Sequence, residues 1–217
     1  MKQIIILLLC ITVSLISFSQ STDFENYRIL ELGSISIPNN MEIQSGNYKK
    51  LAETYQKEMS KKFGYEVSDN RIVFQQKGLN ELEKKGLASY VRVILETQIE
   101  SYGSFEKLTK KLTATQQEIS EMSTEFKNQF EQGFAGTGLK LITWYGVSIV
   151  TINGRNALKI SYLRQLSDKP YVVVNIYRFQ NNDRLHSLTL SYRQSDEATW
   201  KPLLTKVANS FSITNVR

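Results

Sequence analysis

Two side chains in this sequence have the chemistry of a hydrolase, a serine and a histidine. Ser148 lies in "GVSIV" (146–150), which matches the first half of the G-x-S-x-G nucleophile motif. The second glycine is missing, and the serine precedes a predicted hairpin instead of the strand-to-helix turn that exposes such a nucleophile. His186 is the only histidine, and a catalytic histidine needs a nucleophile and an orienting carboxylate beside it. Neither residue has such a motif, so we predict that the protein is not an enzyme, with a cryptic hydrolase as an alternative.

Metal and cofactor motifs are equally weak. A zinc site of the usual nitrogen and sulfur type needs several His or Cys ligands, but the chain has one His and one Cys. No calcium-loop motif occurs, and "NND" (181–183) is typical of a turn. The glycines of "GFAGTG" (133–138) follow a predicted helix, whereas a phosphate-binding loop precedes one. We therefore expect no catalytic residue, no metal and no cofactor. The paired carboxylates are expected to be solvated charges and not a glycosidase dyad: Glu81/Glu83, Glu118/Glu121 and Asp196/Glu197.

Aromatic side chains give the best candidate for a binding site. Large aromatic residues recur along the predicted strands near Arg164, Asn175 and Arg178, so they could line a groove for a lipid or a glycan. The alternative is that they are core residues, because buried aromatics contribute much of the apolar area of a core. The candidate groove residues are Trp144, Tyr171, Tyr177, Phe179, His186 and Tyr192.

The first nineteen residues have the pattern of a signal peptide. Lys2 supplies the positive charge, residues 4–16 form an apolar run, and "SFS" (17–19) offers a small-x-small cleavage site before Gln20. The run is shorter than the roughly 20 residues that span a bilayer, so an uncleaved anchor is the less favoured alternative. Cys10 follows Leu9, where a lipoprotein would have a small residue, so we interpret it as part of the leader. We predict export to the periplasm or the extracellular space, a lead-in over residues 20–29, a single domain over 30–217, and no transmembrane segment after leader removal.

The net charge is +6, and its lysine pairs are scattered among glutamates. Attraction to an anionic surface is one interpretation, but no run of like charges reaches the length of an interaction tail, so solvated helix faces are favoured. Because the chain is predicted to be exported, we expect no nucleic-acid partner. The expected partner is an unidentified protein or an envelope component.

The first half of the chain predicts alternating strands and helices. Strands are predicted over 33–40, 71–76 and 89–98, and a helix over 47–62. An apolar stripe predicts a long helix over 104–132, with a possible break near 113–115 because Thr115 and Glu118 form a capping-box pattern. Gly133 is predicted to end this helix in a left-handed conformation.

The second half predicts two hairpins and a helix. Asn153-Gly154 predicts a two-residue turn that pairs Ile149 with Leu158, Val147 with Ile160 and Tyr145 with Tyr162. The second hairpin joins 171–179 to 184–192, and its first strand is apolar on both sides, which favours layers on both faces of the sheet. A last helix is predicted to start near Thr199, with Pro202 in its first turn and a short extended piece at 211–213. The predicted fold class is α+β: a mainly antiparallel β-sheet with helices packed on both faces, a three-layer α/β/α sandwich.

Three segments carry a resemblance to a known family: "SISIP" (34–38), "VSIVTINGRNALKISY" (147–162) and "WKPLLTKVANSFSI" (200–213). Together they resemble the PsbP-like fold family, which includes the extrinsic subunit of the plant photosystem, a yeast Ran-binding import factor and bacterial exported proteins of the DcrB type. The resemblance covers about residues 30–213. It implies a non-catalytic binding or accessory role and transfers no functional residue. A lipid or small-ligand carrier that uses the aromatic-lined face is another alternative.

Overall fold

A computed structural model describes residues 22–63 and 71–217, excluding the side chains of residues 55, 56 and 58–63. The predicted leader over residues 1–19 lies outside the described residues, so export stays a prediction. In the described part of the chain, no helix has both the length and the apolar character needed to cross a bilayer.

In the ranges that the structure describes, ten strands form two antiparallel sheets. The small sheet has the order β1-β2-β10 and the large sheet has the order β3-β4-β5-β9-β8-β7-β6. The strands of the small sheet are β1 (Phe24–Ile29), β2 (Gly33–Pro38) and β10 (Ser212–Ile213). Those of the large sheet are β3 (Met41–Ile43), β4 (Ile72–Gln76), β5 (Val91–Ile99), β6 (Leu139–Ile152), β7 (Arg155–Leu166), β8 (Val172–Asn181) and β9 (Arg184–Arg193).

Two helices pack on opposite faces of the large sheet. The helices are α1 (Gly46–Phe63), α2 (Lys84–Leu87), α3 (Gln116–Phe134) and α4 (Glu197–Ser210), which follows a 3₁₀ turn at Gln194–Asp196. α4 packs on β9 and on β2 of the small sheet, whereas α3 packs on β6. The predicted α+β class, with an antiparallel sheet between helices, is confirmed.

Each face of the large sheet has its own apolar cluster. On the inner face, side chains of β5 and β9 such as Val93 and Leu188 pack with the α4 residue Val207 and with β2. On the outer face, Ile160 and Val174 belong to a second cluster, against which α3 packs Met122, Phe126 and Phe130. The strands that lie between α3 and α4 therefore bury side chains on both faces, as the apolar residues on both sides of β8 predicted.

The register of the β6–β7 hairpin is as predicted near its turn and differs farther away. Asn153 and Gly154 adopt positive φ of 46° and 74°, and the pairs Val147–Ile160 and Ile149–Leu158 form as expected. The register then shifts between Trp144 and Gly146, so Trp144 and not Tyr145 lies opposite Tyr162. The pairing predicted for Tyr145 is wrong because a β-bulge moves Trp144 and Thr143 to the faces opposite those predicted, and the second shift, between Leu141 and Thr143, then restores the alternation.

The segment before α3 is not helical, contrary to the prediction of a helix over 104–132. Its backbone groups bond to the β8–β9 turn: Phe105 N–H donates to the Asn182 carbonyl at 2.7 Å, and Asn182 N–H donates to the Glu106 carbonyl at 3.0 Å. Leu108, only 4% exposed, joins the inner cluster from this loop. Tertiary hydrogen bonds thus replace the helical bonds that the apolar stripe suggested.

The predicted capping box defines where α3 begins. Thr115 Oγ1 accepts a hydrogen bond from Glu118 N–H, and a Glu118 carboxylate oxygen accepts from Thr115 N–H. At the other end, Gly133 lies inside α3 and not after it. The predicted C-terminal glycine is therefore wrong, and the positive φ angles occur at Gly136 (74°) and Gly138 (81°).

Two further boundaries differ from the sequence prediction. Residues 24–29 of the expected lead-in form β1, which pairs with β2. α4 begins at Glu197, so Pro202 lies in its second turn. Ser89 stabilises this earlier start of α4 with two hydrogen bonds. Its hydroxyl group donates to an Asp196 carboxylate oxygen and accepts from Trp200 Nε1.

Candidate functional site

A groove opens on the inner face of the large sheet, beside α4. We call this cavity of about 540 Å³ the α4 groove. Its floor is formed by β6, β7 and β8, and one wall is formed by α4. The residues that line it are Tyr145, Gly146, Val147, Ser148, Lys159, Ser161, Val173, Asn175, Tyr177, Leu190, Tyr192, Glu197, Lys201, Leu204 and Thr205.

The groove exists because the inner face changes from apolar to polar across the sheet. On β9, Leu188 and Leu190 are buried in the inner cluster. On β7, the inner-face positions next to Ala157 are Lys159 and Ser161, which pair with Tyr177 and Asn175 of β8. Polar residues at these positions leave this part of the sheet open to solvent.

A bulge in β6 directs a tyrosine into the groove. Gly146 has a φ of +102°, a left-handed value that favours glycine. Beyond the bulge, Trp144 lies on the outer face, where its ring stacks on Tyr162 with centroids 6.2 Å apart and its Nε1 donates to Ser123 Oγ at 2.8 Å. Tyr145 is left 54% exposed and lines the groove. Bulges commonly re-aim single side chains in this way next to functional sites.

The floor of the groove presents hydrogen-bonding groups. Ser161 Oγ donates to Asn175 Oδ1 at 2.8 Å, which orients the Asn175 amide. Within the described residues, no protein acceptor bonds to the Asn175 Nδ2 group. Lys159 Nζ lies 5.9 Å from the centre of the Tyr177 ring, and burial raises the pKa of Tyr177 above its usual value. The floor therefore offers one cation and neutral donors to a ligand.

The α4 wall adds an ion pair, and β9 adds a further tyrosine, Tyr192. Lys201 Nζ lies 2.7 Å from a Glu197 carboxylate oxygen, one turn apart on the helix. Burial, with added effects from Glu197, Tyr145 and Tyr177, raises the pKa of Tyr192 to about 12. Tyr192 is therefore a neutral hydroxyl group at neutral pH. Since Glu197 and Lys201 neutralise each other, the net charge of the groove is that of Lys159.

The structure divides the six predicted groove residues among different environments. Tyr177 and Tyr192 line the α4 groove, whereas Phe179 and His186 are buried in the protein interior. Trp144 is on the outer face and Tyr171 is exposed just before β8, outside the set of residues that line the groove.

Sequence reasoning missed the other chemically useful residues of the groove, Tyr145, Lys159 and Lys201. The signal available in the sequence was the pair Lys159 and Ser161, two polar residues on one face of an otherwise apolar strand. The position of Tyr145 depends on the bulge, which the two-residue turn at Asn153-Gly154 does not predict.

His186 has a structural environment. Its Nδ1 lies 2.9 Å from Thr97 Oγ1, and its Nε2 lies 3.1 Å from Asn181 Nδ2. Burial lowers the pKa of His186 to about 4, with the Arg184 guanidinium as a second cause. Ser148 lies on β6, and β7 and β8 separate that strand from β9, which carries His186. The two side chains therefore do not form a nucleophile–base pair.

Metal ligands do not cluster in the part of the chain that the structure describes: no group of three or more His, Cys, Asp or Glu residues is placed to hold an ion.

Comparison with known proteins gives likenesses among solved structures. No protein-family model matches the chain. No curated protein matches it. The chain is similar to the solution structure of cyanobacterial PsbP from Synechocystis sp., with 16% sequence identity and a TM-score of 0.49, over 88% of this chain and 93% of that one.

Two further solved structures are similar to the chain. The Ran-binding protein Mog1p of Saccharomyces cerevisiae has 13% identity and a TM-score of 0.43, over 90% of this chain and 97% of that one. A Pseudomonas aeruginosa protein of unknown function, described as a putative regulator, has 10% identity and a TM-score of 0.34, over 87% and 96% of the two chains. A PsbP-like protein is thus among the similar structures, as the sequence motifs suggested.

Proposed function

We propose that this protein is an exported, non-catalytic binding domain that holds a protein partner or an envelope component in the α4 groove. Export rests on the leader pattern of residues 1–19, and the binding site rests on the groove. Nucleic acid is not among the proposed partners, because an exported protein is separated from the nucleic acids of the cell.

The observation that carries the proposal is the open polar floor beside an exposed tyrosine. At about 540 Å³, the α4 groove has the size of a ligand site, for which the usual range is roughly 300–1,000 Å³. Tyr145 supplies exposed aromatic surface at one side, and Asn175 and Lys159 supply donors on the floor. An aromatic surface next to convergent donors suits a polar chain such as an extended peptide or a glycan, whereas a lipid carrier needs a more apolar cavity.

A hydrolase in the same groove has less support. Ser148 lines the groove, but the only histidine is buried and engages Thr97 and Asn181. Glu197, a carboxylate of the groove, is paired with Lys201. We therefore favour binding over the alternative of a cryptic hydrolase.

Site-specific photo-crosslinking in the native host tests the proposal. A photoreactive phenylalanine analogue replaces Tyr145 in one strain and Tyr171 in a control strain. Tyr171 is the matched control, because it is a tyrosine of comparable exposure (43% against 54%) that does not line the groove. We expect a covalent adduct at position 145 and not at position 171, in the exported fraction.

A second variant tests whether the crosslink at position 145 depends on the α4 groove. Lys159→Glu reverses the charge of the floor and should weaken the adduct formed at position 145. Equal adducts at both positions, or an adduct that Lys159→Glu leaves unchanged, would contradict binding in the α4 groove. If the protein stayed in the cytoplasm, that result would contradict the proposed export but not the proposed binding in the α4 groove.

A further inference from the structure

A second cavity lies on the outer face of the large sheet, away from the α4 groove. Its volume is about 290 Å³, and we call it the Glu96–Arg178 cleft. It is lined by Glu96, Thr97, Gln98, Arg178, Leu185 and Ser187. None of these residues lines the α4 groove, so its function is independent of the function proposed above.

Strand register places opposite charges on either side of a hydroxyl group. Glu96 of β5 lies opposite Ser187 of β9, and Ser187 lies opposite Arg178 of β8. Neighbouring strands are about 4.8 Å apart, so the Cα atoms of Glu96 and Arg178 are roughly 10 Å apart across the intervening strand. This separation leaves room for a small molecule between the two side chains, above Ser187.

The two charged groups are close enough to interact and yet do not bond to each other. Burial lowers the pKa of Arg178, and the Glu96 carboxylate acts in the opposite direction, so the charges influence each other. In the described ranges, 22–63 and 71–217, Glu96 forms neither an ion pair nor a side-chain hydrogen bond. Arg178 Nε is shielded from solvent and has no hydrogen-bond acceptor within the same ranges.

The Arg178 side chain is also held in place from above. Its guanidinium carbon lies 5.2 Å from the centre of the Phe126 ring of α3, a cation–π contact. Leu185 lines the same cleft and provides apolar surface, and Gln98 donates to Glu100 at 2.7 Å, so its carbonyl oxygen remains able to accept. A guanidinium held in a fixed position beside a cleft is suited to receive a carboxylate.

We propose that the Glu96–Arg178 cleft binds a free α-amino acid. The carboxylate of the ligand bonds to the Arg178 guanidinium, its ammonium group bonds to the Glu96 carboxylate, and its side chain lies against Leu185. A ligand with both charges matches the cleft, whereas a simple anion meets Glu96 and a simple cation meets Arg178. The volume of the cleft lies at the lower end of the range for ligand sites, which suits a molecule of this size.

Isothermal titration calorimetry with the purified exported chain tests this assignment. Leucine is the probe, and N-acetyl-leucine and leucine amide each lack one of its two charges. We expect leucine to bind and each derivative to bind at least about tenfold more weakly, the loss that follows from removing one charge-assisted hydrogen bond.

Variants of the two charged residues assign each charge of the ligand to its partner. Glu96→Gln should weaken leucine binding at least about tenfold and abolish the penalty for N-acetylation, while keeping the penalty for the amide. Arg178→Gln should also weaken leucine binding, but it should abolish the penalty for the amide and keep the penalty for N-acetylation. Lys140→Gln, which removes an exposed charge that lines neither cavity, is the control and should leave leucine binding unchanged. Thermal unfolding of each variant checks that it is folded.

Three results would overturn the proposal. One is no binding of leucine at concentrations up to about 10 mM, since weaker affinities carry little specificity. Another is equal binding of leucine and its two derivatives. The third is a folded Glu96→Gln variant that still discriminates against N-acetyl-leucine, because the ammonium group would then have another partner.

Discussion

Replacing His186 with glutamine should remove most of the pH dependence of stability between pH 7.5 and pH 5. His186 is 1% exposed and is the only histidine of the chain. Asn181 is held by backbone groups on both sides: its Nδ2 donates to the Asn215 carbonyl at 2.8 Å, and its Oδ1 accepts from Arg217 N–H at 2.8 Å. Nε2 of His186 must therefore accept from Asn181 Nδ2, and Nδ1 carries the proton and donates to Thr97 Oγ1.

A second proton on the imidazole has no place in this arrangement. It would direct an N–H group at the N–H groups of Asn181, in a site where burial already lowers the pKa of His186 to about 4. An unfolded histidine has a pKa of about 6.5, so the unfolded state takes up the proton first as the pH falls. Stability from this group is fully present above pH 6.5 and is lost below it. The linkage relation gives a loss of about 2 kcal/mol between pH 7.5 and pH 5.

Urea unfolding at several pH values measures this quantity. The wild type and His186→Gln are compared at pH 7.5, 6.5, 5.5 and 5, and the free energy of unfolding is extrapolated to water for each. The carboxylates titrate in both proteins, so the difference between the two pH profiles isolates the histidine. We expect the wild type to lose about 2 kcal/mol more than the variant over this range.

Two results would refute the reasoning. One is a pair of parallel pH profiles, because the histidine would then have the same proton affinity in the folded and unfolded states. The other is an NMR titration of the folded protein in which the single histidine has a pKa near 6.5. Lower stability of the variant at pH 7.5 does not affect either test, because the prediction concerns the slope.

Three more substitutions test local structure, each by urea unfolding at pH 7.5. Thr115→Ala removes the capping box with Glu118 and should lower the free energy of unfolding by about 1 kcal/mol; an unchanged value would mean that the cap contributes nothing. Gly146→Ala forces a side chain into a φ of +102° and should cost about 1–2 kcal/mol, whereas Gly133→Ala inside α3 should be neutral or stabilising. Phe130→Ala removes a ring that lies 4.8 Å from Tyr162 and should cost about 3 kcal/mol; a cost below about 1 kcal/mol would show that α3 is weakly packed on the sheet.

The sequence predicted the fold where local signals and tertiary packing agree. Asn153-Gly154 determines the turn and therefore the pairs Ile149–Leu158 and Val147–Ile160, because both turn residues tolerate positive φ. The capping pattern of Thr115 and Glu118 indicated a possible break near 113–115, and α3 begins there because the two residues bond to each other's backbone N–H groups. In each case the information lies within a few residues.

Prediction failed where distant partners decide the structure. The loop over residues 104–115 has an apolar stripe, but the backbone groups of Phe105 and Glu106 bond to Asn182 in the β8–β9 turn. Tyr145 could not be assigned to the groove, because the bulge that directs it is an irregularity of pairing and not of composition. Two of the predicted groove residues, Tyr177 of β8 and Tyr192 of β9, do line the α4 groove. Each points to the inner face of the sheet at a position that the groove leaves open.

The bulges of β6 also affect how the protein meets other copies of itself. β6 has 14 residues and is the outermost strand on one side of the large sheet, so within the described ranges its outer backbone groups have no neighbouring strand. A straight edge of this length would be a template for aggregation by strand addition. Register shifts between Leu141 and Thr143 and between Trp144 and Gly146 interrupt the regular spacing of these groups. The longest regular edge that an incoming strand can meet therefore covers residues 147–152, less than half of the 14 residues of β6.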